Sequence, residues 1–459
     1  MKKIPIVLLA AILVAACQKN QEPIVIKADH FHQAVDKLTE VMIHDIFSPP
    51  VASRVYVYPN IAAFEIVAQA DPAFKSLAGQ VSGLSAVPAL DKDKNIQPEL
   101  AALVAYYEVG KTLIFSEDKI IQYRDSLYES WHKTNPDVFE ASKNYGLAVA
   151  NHIIQWMDGD NYKQTRTMPK YSVFSDDPSR WQPTPPDYMD GIEPHWNKIR
   201  PMVLDSAAQF KPIVHTPFSL DPTSEFYRQL REVYDVSQDI TAKGDESEEI
   251  EIAQFWDCNP YVSTHRGHLM FATKKITPGA HWILISKIAS KKAGADFFET
   301  VHNYTKTSIG VFEAFISSWD EKYRSVLVRP ETLINKYIDE NWKPILQTPP
   351  FPEYTSGHSV VSGSASKILT DIFGENFSFA DDTEVPYGLP VRSFISFEQA
   401  ADEAAISRIY GGIHYMDAIV NGLSQGKNVG EWVLQHIDMK DKNVKREHNL
   451  LKNNKENDE

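Results

Sequence analysis

The chain has 459 residues, with 61 acidic against 46 basic side chains, a formal charge of −15 and two cysteines. That length exceeds the roughly 250–300 residues at which one apolar core stops growing, so two packed cores or subdomains are expected. The acidic balance excludes a nucleic-acid partner, which demands a basic face to displace counterions from phosphates, so any anion site must be locally basic.

Residues 1–17 read as an export signal: Lys2 and Lys3 precede the apolar run 4–14, and Ala15 and Ala16 lead into Cys17. This ending resembles a bacterial lipobox. The resemblance implies cleavage before Cys17, lipidation of that cysteine, and a mature chain tethered by acyl groups to a bacterial membrane, expected at the periplasmic face of the outer membrane; an ordinary secretory signal is the alternative. No later stretch supplies the roughly 18 uninterrupted apolar residues that a spanning helix needs. Cys258 is the other cysteine, so no intrachain disulfide between free side chains is expected, and it reads as a small buried apolar group rather than a reactive thiol.

After a tether over 18–30, Val35, Leu38, Val41, Met42 and Ile46 recur at helical spacing within 31–47. The same periodicity predicts helices over 59–69, 99–115, 116–131, 139–157, 225–236, 248–256, 281–293 and 295–319. Strand-like alternation is scarce, and the expected fold class is all-α, two packed helical bundles. Residues 31–240 form the N-terminal half, interrupted by a Pro-rich irregular excursion over 159–222, and residues 241–438 form the C-terminal bundle. The charged, Asn-rich run 439–459 is expected to be a disordered tail.

Three stretches of the C-terminal half concentrate the chemistry. In KYRSVLVRP, Lys322 and Arg329 stand seven apart and would share one helix face. In PPFPEYTSGHSVVSG, the apolar residues from Val361 to Ile372 predict a helix that Ser356, Gly357 and His358 open and Gly374 stops. Free N–H groups and the positive end of the macrodipole suit that start to an oxyanion, and Gly357 admits it close to the backbone; a simple serine cap is the plainer reading. In SRIYGGIHYMDAIVNG, Arg408 lies near the end of a helix opened by Ser396, and Gly411 and Gly412 break the pattern before His414. Gly422, Gly426 and Gly430 recur every four residues along a closely packed last helix. Together these stretches offer three cations, two imidazoles, a hydroxyl and a glycine N–H, the donors that a tetrahedral oxyanion needs. A bare divalent cation would not sit among Lys322, Arg329 and Arg408.

These motifs resemble the shared site of the vanadium-dependent haloperoxidases and the type 2 phosphatidic acid phosphatases: a lysine, six residues and Arg-Pro; a Ser-Gly-His; and a Ser-Arg with histidine six positions after the arginine. Lys322, Arg329 and Pro330 match the first element, Ser356, Gly357 and His358 the second, and Ser407, Arg408 and His414 the third. The resemblance spans about a hundred residues and implies a vanadium chloroperoxidase-like helical fold. It further implies that His414 is the axial group, binding the vanadium of vanadate in a peroxidase or attacking phosphorus in a phosphatase. Lys322, Arg329, Ser356, the Gly357 N–H and Arg408 would neutralise the equatorial oxygens, with His358 as acid and base. In the family an acid commonly follows the axial histidine with three residues between; here Asp417 follows with two, so its orienting role is open, and Asp257 is the alternative supporting acid, as a partner of Arg408.

Phe351, seven residues before His358, resembles the aromatic residue that soluble chloroperoxidases place beside vanadate, and residues 53–65 look like the helical half of bacterial relatives. The implied activity is oxidation of a halide by hydrogen peroxide to hypohalous acid, with vanadate as cofactor and Lys322 polarising a peroxide oxygen. Two other readings stay open: a soluble acid phosphatase using a phosphohistidine at His414 on a phosphomonoester, without cofactor, and a non-enzymatic ligand-binding lipoprotein.

Overall fold

The computed structural model describes residues 22–244, 247–266, 269–272 and 274–441. The export signal with Cys17, and residues 442–459 of the expected tail, lie outside the described residues. Among those described, fourteen α-helices and two antiparallel two-stranded pairs make up the regular structure, in keeping with the expected all-α class.

The first bundle holds α1 (Ala28–Asp45), α2 (Pro49–Ala70), α3 (Pro98–Lys111), α4 (Glu117–Thr134) and α5 (Pro136–Met157). α2 begins ten residues before the periodicity predicts, on Pro49 and Pro50, and carries Pro59 inside it. Every residue of α2 from Pro49 to Val67 is buried, so it has no polar face, and the periodicity that betrays an amphipathic helix is missing. Residues 18–30 are not all tether: Ile24 is buried, its carbonyl accepts from Gln97 Nε2 at 3.0 Å, and α1 starts three residues before the predicted 31.

The excursion over 159–222 is irregular as expected, apart from α6 (Tyr162–Thr165) and a 3-10 turn. It leads to α7 (Glu225–Lys243), α8 (Glu248–Phe255) and the pair β1 (Ser263–Arg266) with β2 (Leu269–Ala272). The second bundle follows: α9 (Pro278–Lys292), α10 (Phe297–Ser325), α11 (Pro330–Tyr337), α12 (Gly357–Phe373), the pair β3 (Phe379–Asp381) with β4 (Arg392–Phe394), α13 (Phe397–Tyr410) and α14 (Met416–His436).

The 29-residue α10 packs against α1 and α2 on one side and α9, α12 and α14 on the other, so the apolar interiors of the two bundles merge into one core. A smaller cluster joins α7, α11, α13 and the start of α14 through Phe226, Leu230, Leu333, Ala405 and Tyr415. α12 and α14 meet along the predicted glycine seam. A Cβ built on Gly426 would stand 2.0 Å from the carbonyl oxygen of Val360, and one on Gly430 would stand 2.8 Å from that of Ser364. The first residues of the expected tail are not loose either: Met439 is buried, its carbonyl accepts from Lys75 N at 3.0 Å, and Asp441 N donates to Ala73 O at 2.8 Å. No helix among the described residues is long and apolar enough to cross a membrane.

Candidate active site

α10 stops at Ser325 because Val326 takes a left-handed conformation, with φ of 47°. Arg329 then becomes the cap residue of α11, with Pro330 at its first position. Lys322 and Arg329 therefore do not share a helix face, contrary to the spacing argument. The intervening turn is pinned from outside: Trp181 N donates to Val326 O at 2.7 Å, Val328 N to Ser179 O at 2.9 Å and Glu353 N to Leu327 O at 3.0 Å. The two cations still meet, because Phe351 lies between them with its ring centroid 5.0 Å from both Lys322 Nζ and Arg329 Cζ.

Lys322 is fully buried, and its ammonium donates to the carbonyls of Pro352 (3.0 Å), Glu353 (3.1 Å) and Thr355 (2.5 Å). Burial, with Arg329 nearby, pushes it well below the usual lysine range. Arg329 donates from Nε to Phe351 O at 2.9 Å and from Nη1 to Ile413 O at 2.9 Å and to His414 Nε2 at 3.0 Å, while Nη2 is buried without a partner. Burial lowers its pKa to about 10, which leaves it charged at neutral pH.

Ser356 caps α12 as predicted: its Oγ accepts from Ser359 N at 3.3 Å and keeps its own hydrogen to donate. Gly357 and His358 form the first turn, where the unpaired N–H groups point out of the helix. His358 Nε2 is buried without a partner, and burial, Arg408 and His281 hold this imidazole well below its usual value. Arg408, in the last turn of α13, donates from Nε to Ser407 Oγ at 2.9 Å and from Nη2 to Trp256 O at 2.7 Å; burial lowers it to about 10. Gly412, with φ of +76°, turns the chain in a way that favours glycine, and His414 follows just ahead of α14.

His414 is neutral, because burial, Arg329, Lys322 and Arg408 all hold its pKa far down. Its Nδ1 lies 2.7 Å from Oε1 of Glu353, which also accepts from Tyr415 N at 3.0 Å. The proton therefore sits on Nδ1 and the lone pair on Nε2, which is the nitrogen facing Arg329. Sequence reasoning missed Glu353. Desolvation raises its carboxyl to about 7, against the opposing pull of Arg329 and Lys322.

Asp417 does not support His414. Its Oδ2 accepts from Thr216 N (3.0 Å) and Oγ1 (2.6 Å), because the first turn of α14 directs it to the excursion instead. Asp257 lines the cavity, but it pairs with Lys275 at 2.6 Å and acts on Arg408 through charge alone; the hydrogen bonds of Arg408 go to Ser407, Ala253 and Trp256.

His358, His414, Arg408 and Gly357 line one narrow cavity of about 30 Å³ together with Phe351, Trp319 and Phe315. Lys322, Arg329 and Arg408 are at most 1% exposed, and the Glu353 carboxylate beside them bonds to His414 Nδ1 and Tyr415 N. Buried positive charge in excess, with Nη2 of Arg329 and Nε2 of His358 lacking partners, is what a small multiply charged oxyanion would balance.

Residues 302–441 match the VCPO second helical-bundle domain. A crystal structure described as the first bacterial vanadium-dependent iodoperoxidase is 61% identical, with 93% of this chain and 100% of that chain covered and a TM-score of 0.89. Holo and apo structures of a bacterial vanadium-dependent chloroperoxidase share the fold at 17% identity, with TM-scores of 0.64 and 0.63. They cover 85% and 87% of this chain and 94% and 98% of theirs. No curated protein gives a significant match. Identity of 61% along nearly the whole of both chains, over a cavity lined by Gly357 and His358 of the second motif and Arg408 and His414 of the third, makes this protein a member of the vanadium-dependent haloperoxidases.

Proposed function

We propose that this vanadate-dependent haloperoxidase takes iodide as its halide. The observation that carries the halide assignment is the 61% identity to an iodoperoxidase over 93% of the chain. Vanadate fits the residues present: the unpartnered Arg329 Nη2 and His358 Nε2 and the open first turn of α12 supply donors, and His414 Nε2 supplies a lone pair. When bound, vanadate activates hydrogen peroxide for attack by the halide, which leaves as hypohalous acid while peroxide is reduced to water and one proton is consumed.

The side chains divide that work. His414 would bind vanadate through Nε2, held in the required tautomer by Glu353. Arg329, Arg408, Ser356 and the Gly357 N–H would hold its oxygens, and their donors are fixed in advance by backbone carbonyls and helix caps. His358 is neutral with a free Nε2, suited to taking a proton from peroxide and returning it. Lys322 stands beside Gly357 with its Nζ committed to three carbonyls, and it must exchange one of them to reach an oxygen in the cavity. Phe351, Trp319 and Phe315 make one side of the wall apolar, which limits water and strengthens each charge interaction.

Protein reconstituted with vanadate and given peroxide with iodide, bromide or chloride in turn tests the reading. Iodide oxidation with the highest kcat/KM supports it. Faster bromide oxidation overturns the halide assignment, and hydrolysis of p-nitrophenyl phosphate with no halide turnover favours the phosphatase alternative. We also propose export and anchoring through lipidated Cys17, supported by the charged start, apolar run and small pair of residues 1–16. Membrane-bound wild type and a released Cys17→Ser variant are the expected outcome; equal release of both excludes the anchor.

A further inference from the structure

Cys258 lines the cavity on one side and touches a second cluster of chemistry-bearing side chains behind it. We propose that Cys258, His281 and Glu384 form a binding site for a divalent transition metal ion of the zinc class, separate from the oxyanion site. The three come from different elements. Cys258 follows α8, His281 lies in the first turn of α9, and Glu384 stands in the loop after β3. They are 1%, 0% and 2% exposed.

The Sγ of Cys258 is 3.4 Å from Nδ1 of His281, that nitrogen is 3.7 Å from Oε1 of Glu384, and the three donor atoms lie within 4.8 Å of one another. Tetrahedral zinc, with bonds of about 2.3 Å to sulfur and about 2.0 Å to nitrogen and oxygen, sets its donors about 3.3–3.6 Å apart. The two measured edges already match this to within about 0.4 Å.

Two further features point to an ion. Nε2 of His281 lies 2.9 Å from Oδ2 of Asp381 and 2.8 Å from Oγ1 of Thr383. A proton given to Asp381 leaves the lone pair on Nδ1, facing Cys258 and Glu384, as in the carboxylate–imidazole–metal arrangement. Oε1 of Glu384 is buried and has no hydrogen-bond partner. Of the nearby cations, Lys275 is committed to Asp257 and Arg408 to the carbonyls of Trp256 and Ala253, while His281, raised against burial well above its usual value by Asp381 and Cys258, would give up its Nδ1 proton to the ion. A thiolate and a carboxylate would be neutralised by one divalent ion, and the sulfur and imidazole donors select zinc or cobalt over calcium or magnesium.

The position gives the ion a role. Trp256 stacks on His281 with ring centroids 4.5 Å apart, and its carbonyl holds Arg408. An ion bound here would tie α9 and the loop after β3 to the segment that positions Arg408. It would also occupy the sulfur that otherwise faces the oxidant-producing cavity.

Cobalt titration of the purified protein without vanadate tests the site independently of the halide reading. One cobalt ion per chain with a near-ultraviolet thiolate-to-cobalt absorption band is expected. Zinc displaces it, and excess phosphate, which competes for the oxyanion cavity, leaves the band unchanged. Cys258→Ala abolishes the band, and Asp381→Asn weakens binding about 10–100-fold. Absence of the band in the folded wild type, or its survival in Cys258→Ala, overturns the proposal. If the alanine variant does not fold, the wild-type spectrum alone decides.

Discussion

Nδ1 of His414 and Oε1 of Glu353 lie 2.7 Å apart, and both side chains are buried. This contact decides which nitrogen of His414 would be free to bind vanadate. Replacing the acceptor should leave the ring free to flip or to place its proton on Nε2. Glu353→Leu is expected to lower vanadate affinity about 10–100-fold, the usual cost of losing a partner behind a ligating histidine. Equilibrium titration of the apo protein with vanadate measures it, and an unchanged dissociation constant would show that the carboxylate does not position His414.

Glu353 was illegible for a definite reason. It sits in an irregular loop three residues before Ser356, where no periodicity or motif singles it out, and its role exists only because the turn after Gly412 brings His414 across to it. Asp417 stood beside His414 in sequence, but the first turn of α14 carries it to Thr216. Residues whose task is set by their own backbone position were readable: the Ser356 cap, the glycine seam and the breaks at Gly374 and Gly412. The pairing of Lys322 with Arg329 was right about convergence and wrong about the cause. A left-handed Val326, pinned by the excursion, gives no signal in hydrophobic spacing.

Lys322 donates to three loop carbonyls, which changes what its removal does. Lys322→Met keeps the length and loses every donor. Halide oxidation should fall about a hundred- to a thousandfold, as when one preorganised donor is lost. Melting temperature should also fall, since each buried carbonyl left unpaired costs about 1–3 kcal/mol. Near-wild-type turnover excludes a role at the oxygen, and an unchanged melting temperature excludes the bracing of the 352–355 loop.

Gly426 and Gly357 give opposite expectations for the same substitution. A methyl group on Gly426 would press on the Val360 carbonyl at 2.0 Å, with backbone on both sides, so α12 must move. Gly426→Ala should cost about 1–3 kcal/mol and weaken vanadate binding, because α12 carries Ser356 to His358 at its tip. On Gly357 the methyl would meet Trp319 at 3.5 Å and Cε of Lys322 at 3.8 Å, which are ordinary contacts. Gly357→Ala should melt near wild type. Calorimetry of the two variants side by side checks the contrast, and equal melting temperatures contradict it.

Glu313, fully buried at the middle of α10, links the excursion to the core by accepting from the N–H groups of Met202 and Val203, while its Oε2 has no partner. Burial raises its carboxyl to about 7, although the amide donors pull the other way. Below the unfolded value of 4.5 both states hold the proton, and the stability this group contributes is fully present. Between that value and about 7 the unfolded chain releases its proton first, so stability falls as pH rises, by roughly 3 kcal/mol at most, and then levels off. Glu313→Gln retains an acceptor for the two amides and removes the titration. Glu353 and Glu384 are raised to about 7 as well, so the wild-type slope alone does not isolate Glu313, but the difference between wild type and variant does. Thermal melts at pH 5, 6, 7 and 8 should show the variant gaining on the wild type up to about pH 7 and holding that gain at pH 8, and parallel curves would mean that Glu313 is already ionised at pH 5 in the folded protein.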